Sequence, residues 1–111
     1  MIIMSDMPHE MEKKEMYLKT YQQGRETLVA VCDCDVLGCK FAEGQLRLDV
    51  SADFFGGDMA SCTEVEKALA SATMANFVGP KTVEHAITLG YVEKDCVLSI
   101  GGVLYAQMVR M

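Results

Sequence analysis

The eight residues Glu26–Asp33, ETLVAVCD, constrain this chain more than any other segment. Leu28, Val29, Ala30, Val31 and Cys32 form an unbroken apolar run, so an extended segment here meets protein on both faces. That pattern predicts a central strand covered on two sides.

The neighbouring elements follow from periodicity and turn chemistry. Tyr17–Gln22 alternates and predicts a strand, and Gln23-Gly24 turns it into Glu26–Asp33 as a β-hairpin. An irregular passage runs from Gly38 to Gly44. Leu46, Leu48 and Val50 then alternate with Gln45, Arg47 and Asp49, which predicts a strand with one wet face. Phe54-Phe55-Gly56-Gly57-Asp58 breaks it, and Thr63-x-x-Glu66 has the form of a capping box. Val65, Ala68, Leu69 and Ala72 recur at helical spacing, and Gly79-Pro80 is expected to end that helix and open a second. Val83, Ala86 and Ile87 give the second helix its apolar stripe, up to Gly90. Cys96–Ile100 and Val103–Arg110 are strands joined by the hairpin turn Gly101-Gly102. The predicted order is β-β-β-α-α-β-β. This is an α+β domain, with a mostly antiparallel sheet of about five strands and two helices packed on one face.

A chain of 111 residues fits one domain, assigned here to residues 16–111. Residues 1–15 carry Met1, Met4, Met7 and Met11 without a sustained period and are expected to form a poorly ordered extension. The net charge of -6, with ten basic residues scattered among sixteen acidic ones, works against gripping phosphates. DNA is therefore disfavoured and RNA needs a local basic patch. Five Cys, an odd number, without a secretory segment at Met1-Ile2-Ile3-Met4-Ser5-Asp6, are expected as reduced thiols in the cytoplasm. No run approaches the roughly 20 apolar residues of a membrane span.

Several residues then carry a resemblance. Gly24-Arg25-Glu26, Leu28 to Asp33, Leu37-Gly38 and Phe41-x-Glu43-Gly44 come in order, followed by Phe55-Gly56-Gly57 and Ala75-Asn76-Phe77-Val78-Gly79. Ile100-Gly101-Gly102-Val103 and Ala106-Gln107 complete the series. Together they resemble a family of small uncharacterised archaeal proteins known as domain of unknown function 424, over roughly residues 16 to 111. The resemblance implies an archaeal, cytosolic origin and brings no activity with it. The chain departs from the family pattern at Tyr105, where His is expected, and at Cys34 and Cys39.

Candidate sites are few. Cys32-x-Cys34-x₄-Cys39 could chelate zinc with Cys62 or His85, but C-x-C is a poor chelate, and small thiols pack well in cores. A Cys nucleophile with His85 as base lacks any spacing signal, and an exposed helix histidine is the simpler reading. The acids Asp33, Asp35, Glu43, Asp49, Asp53 and Asp58 read as solvated loop carboxylates. No catalytic residue, metal ligand set or cofactor is assigned. Asn76 to Thr82 is the segment of interest, because a helix opening beside Gly79, Lys81 and Thr82 presents free amides and a positive dipole end to an anion. Val78 to Thr82 also resembles the turn of a helix-hairpin-helix module, which normally has two glycines where only Gly79 is present.

These observations predict a non-catalytic binding module working through protein or RNA contacts, in a translation-associated role in archaea. Arg25, Asn76, Gly79, Lys81, Thr82 and Gln107 are its candidate binding residues. A protein partner is favoured by the acidic total; a membrane is not expected, and the oligomeric state is open. The alternative is a small-molecule enzyme or ligand-binding protein whose pocket, between helices and sheet, has Cys32, Asp33, Asn76 and Gln107 near its mouth.

Overall fold

The apolar run does form a strand covered on both faces. A computed structural model describes residues 13–110. It contains strands β1 (Lys14–Gln23), β2 (Glu26–Asp33), β3 (Lys40–Glu43), β4 (Leu46–Asp49), β5 (Asp58–Ser61), β6 (Met74–Val78), β7 (Leu98–Ile100) and β8 (Val103–Val109). The α-helices are α1 (Ala52–Phe55), α2 (Cys62–Ala70) and α3 (Pro80–Thr88). Six strands make one sheet in the order β5-β1-β2-β6-β8-β7, and β3 and β4 pair as a separate hairpin. β2 and β6 run parallel; β1–β2, β1–β5, β6–β8 and β7–β8 are antiparallel. The α+β reading with a mostly antiparallel sheet is correct.

Residues alternate across β2. Val29 and Val31 join Ala75, Phe77, Ala106 and Met108 under α2 and α3, which contribute Val65, Leu69, Val83 and Ala86. Ala30 and Cys32 face the other way, into a second core with Val36, Val50, Phe55, Val78 and Val103. The two longer helices therefore share one face, as expected, while α1 and the β3–β4 hairpin roof part of the other. Burying each of the larger side chains, Phe77 and Leu69 among them, contributes about 1.5–3 kcal/mol.

The order of elements differs from the expected one. The five expected strands become eight, because β3, β5 and β6 lie in segments read as irregular or helical. The largest correction concerns the first helix, expected to run to Gly79 but ending at Ala70. Ser71 is its C-cap, and Met74–Val78 turns into a strand between β2 and β8. The spacing Val65, Ala68, Leu69, Ala72 is helical only to that point. Beyond it, Ala75 and Phe77 point to one core and Val78 to the other, a period of 2 too short to register against the preceding helix. The capping box also lies earlier than Thr63-x-x-Glu66. Ser61 Oγ accepts from the Glu64 amide at 3.3 Å, and the Glu64 carboxylate accepts from the Ser61 amide at 2.9 Å. That bond from the Ser61 amide holds the Glu64 carboxyl below its ordinary range. Lys14 and Glu15, assigned to the extension, belong to β1; residues 1–12 of that expectation lie outside the described residues. Among the described residues, no helix is long and apolar enough to cross a membrane.

Candidate binding surface

Directly paired residues on neighbouring strands share a face, so the register assembles the surface row by row. One row is Leu28–Met74–Val109 and the next is Ala30–Asn76–Gln107. A third is Cys32–Val78–Tyr105–Leu98. The roof on this side is held by Tyr21, whose ring stacks on Phe54 at 5.2 Å between centroids and whose hydroxyl donates to the Phe54 carbonyl at 2.6 Å. The roof reaches the end of β7, where Gly101 N donates to Glu43 Oε1 at 2.9 Å, and covers Val78 and Val103. It leaves the Met74 end of β6 and the Val109 end of β8 open. Met74 is 38 % exposed, Leu98 48 % and Val109 64 %, and Gln107 is exposed beside them.

Two of the six candidate residues meet here. Asn76 Oδ1 accepts from Gln107 Nε2 at 3.0 Å and from the Tyr105 hydroxyl at 3.1 Å. Burial pushes the Tyr105 phenol above its ordinary pKa, offset in part by Gln107, so it remains a neutral donor. With Oδ1 taken by two donors, the Asn76 amide is held in one orientation on an open, partly apolar surface. Tyr105 was missing from the expected site. The alternation Val103, Tyr105, Gln107, Val109 carries the signal that places it on one face with Gln107.

Gly79, Lys81 and Thr82 lie elsewhere, where the C-terminal ends of β2 and β6 meet α3. The segment joins a strand to a helix, not two helices, and its amides are engaged from within. Asp33, at the end of β2 and 3 % exposed, accepts from the Lys81 amide (3.1 Å), the Thr82 amide (2.8 Å) and the Thr82 hydroxyl (2.7 Å). The helix dipole and the free amides expected to hold an external anion thus hold this carboxylate. Gly79 is indispensable to the contact. Its φ of 108° and ψ of 153° suit only glycine, and a Cβ there would collide with the Asp33 side chain. The Lys81 ammonium pairs with Glu15 at 3.7 Å on the surface. Arg25 occupies the β1–β2 turn, at the other end of β2 from Asp33, and joins neither group.

The residues of the expected pocket mouth do not converge either. Cys32 is fully buried in the roofed core, and Asp33 is committed to α3. Burial, then the charge of Asp33, pushes the Cys32 thiol up to about 12. Cys34 lines a cleft of about 290 Å³ with Asp35 and Lys81; burial and the two neighbouring aspartates raise its pKa, against a smaller lowering by Lys81. A raised thiol pKa means less thiolate, the opposite of an activated nucleophile. His85 Nε2 lies 3.2 Å from the Cys62 carbonyl oxygen on an exposed surface. Among the described residues, no three His, Cys, Asp or Glu side chains group to hold a metal ion. Titration of the native chain with a maleimide at neutral pH is expected to leave Cys32 unmodified, while the exposed Cys39, Cys62 and Cys96 react. Rapid labelling of Cys32 before unfolding would contradict its burial.

Comparison with known proteins agrees with this fold. A solved structure described as an uncharacterised conserved protein from Methanopyrus kandleri superposes with a TM-score of 0.71 at 20 % identity, covering 87 % of this chain and 95 % of that one. At that identity the likeness concerns the fold alone. No curated protein matches the chain in sequence. Residues 21–111 match the family described as protein of unknown function (DUF424), and the chain belongs to that family.

Proposed function

We propose that this protein is a non-catalytic binding module that engages a protein partner through the open β6–β8 face, in a translation-associated role in the archaeal cytoplasm. The observation that carries the reading is the surface itself. Exposed Met74, Leu98 and Val109 frame an amide cluster whose central residue, Asn76, is held by two hydrogen bonds. Apolar side chains around a few fixed polar groups suit a protein interface, where Met is enriched and the core is sparsely charged. The net charge of -6 favours a protein over an RNA backbone. The small-molecule reading loses support because Cys32 and Asp33 are committed elsewhere.

The test is capture of partners from an archaeal lysate on the tagged full chain, with and without ribonuclease, beside the variants Met74→Asp and Val109→Asp. Ribosomal proteins or translation factors are expected on the wild type, resistant to ribonuclease. Each variant is expected to retain roughly a tenth of the binding or less, since a buried interfacial charge costs more than about 1.4 kcal/mol. Capture lost on nuclease treatment would point to RNA. Capture unchanged in both variants would remove the open face as the contact.

A further inference from the structure

β5 covers only the first half of β1. Pairing with β5 runs from Lys14↔Ser61 to Leu18↔Asp58 and stops, whereas pairing with β2 continues from Met16↔Asp33 to Gln23↔Glu26. Antiparallel strands direct the backbone groups of alternate residues to opposite sides. The Leu18 carbonyl points outward, since a Cβ on Gly57, just before β5, would collide with it. By the same alternation, the N–H and C=O groups of Thr20 and Gln22 also point outward. Among the described residues, no strand pairs with them.

Natural sheets protect such an edge with proline, bulges or a covering segment. β1 carries a bulge only between Lys14 and Met16, in the half that β5 already covers. Where the covered and uncovered halves meet lies a cleft of about 460 Å³, lined in part by Leu18, Lys19, Thr20, Asp58, Met59 and Glu64, with the Lys19 ammonium engaged by the Asp53 carbonyl at 2.8 Å. Its rim includes exposed Met59 and two carboxylates, of which Glu64 pairs with Lys14 at 3.7 Å and Asp58 pairs with no basic side chain among the described residues. We propose that the outer edge of β1 at Thr20–Gln22 is a β-augmentation site, which takes an extended, basic peptide segment of a partner protein as an added strand in line with β5. The backbone groups supply the hydrogen bonds, and Asp58 supplies the charge complementarity for a Lys or Arg. The inference rests on the reading of the protein as a binding module and adds a second surface to it.

Selection of displayed random heptapeptides against the full chain tests it. Enriched sequences are expected to alternate basic and β-branched residues and to lack proline. N-methylation of alternate peptide amides should weaken binding roughly tenfold or more, and methylation of the intervening amides should have little effect. Hydrogen exchange of the wild-type chain needs no variant. The Thr20 and Gln22 amides should exchange freely alone and gain roughly tenfold protection or more with bound peptide. Thr20→Pro, at an edge position whose N–H faces outward, should abolish binding. The proposal is overturned if those two amides are already as protected as Tyr21 in the free chain. It is equally overturned if no peptide is enriched, or if selected peptides ignore N-methylation. Peptide selection and the open-face variants read different surfaces, so failure of one is distinguishable from failure of the other.

Discussion

Replacing Asp33 by alanine is expected to lower the stability of the chain by about 3 kcal/mol and its Tm by roughly 10–15 °C. The side chain is 3 % exposed and accepts from the Lys81 amide, the Thr82 amide and the Thr82 hydroxyl. Truncation leaves all three donors without this acceptor in a buried corner, and it removes the negative charge from the N-terminus of α3. A helix cap alone is worth about 0.5–2 kcal/mol; burial of the orphaned donors adds the remainder. Asp33→Asn keeps the volume but turns an NH₂ toward one of the two amides, so about half the loss is expected. Urea and thermal unfolding check both values. A loss of less than about 0.5 kcal/mol for the alanine variant, the scale of an ordinary surface change, would mean that Asp33 does not anchor α3.

That contact also marks where reading along the chain stops. Local signals identified most of what is local. These include the unbroken run of β2, the Gly101-Gly102 turn with φ of 58° and 89°, and α3 opening at Gly79-Pro80. The flanking strands supplied the alternation that identifies hairpins. Met74–Val78 escaped because a five-residue strand following a helix in α/β fashion has no punctuation of its own. Its identity comes from β2 and β8 on either side, which is tertiary information. The pairing of Asn76 with Gln107 spans 31 residues and that of Asp33 with Thr82 spans 49. Both Asn76 and Gln107 could be picked out as polar residues in apolar segments, although only the sheet register brings them together. Thr82 and Lys81 were legible as a helix start, whereas the identity of the anion, an aspartate of the same chain, was not.

Gly79→Ala is expected to cost about 4 kcal/mol, enough to unfold a chain of ordinary stability under mild denaturant. Two separate effects combine. The backbone at φ 108° and ψ 153° lies in a region that costs a residue with a Cβ about 1–3 kcal/mol. The new methyl would also meet Asp33, colliding with Cγ and lying 2.7 Å from both Cβ and Oδ1. A double-mutant cycle separates them. In the Asp33→Ala background the Cγ and Oδ1 overlaps vanish and only the Cβ contact stays, so Gly79→Ala should cost about 1 kcal/mol less there than in the wild type. Chemical denaturation of the two single variants and the double, with an osmolyte if Gly79→Ala is too weakly folded alone, gives the coupling. Additive losses would show that the two residues do not press on each other. Coupling of the expected sign means that the C-terminal ends of β2 and β6 are clamped at one point. Asn76 lies three residues upstream of that point on β6, and Ala30, its buried partner in the same row, three residues upstream of Asp33 on β2. The clamp would then hold in register the row from which Asn76 and Gln107 are presented, so a loosened corner should weaken partner binding even though neither Asp33 nor Gly79 reaches that surface.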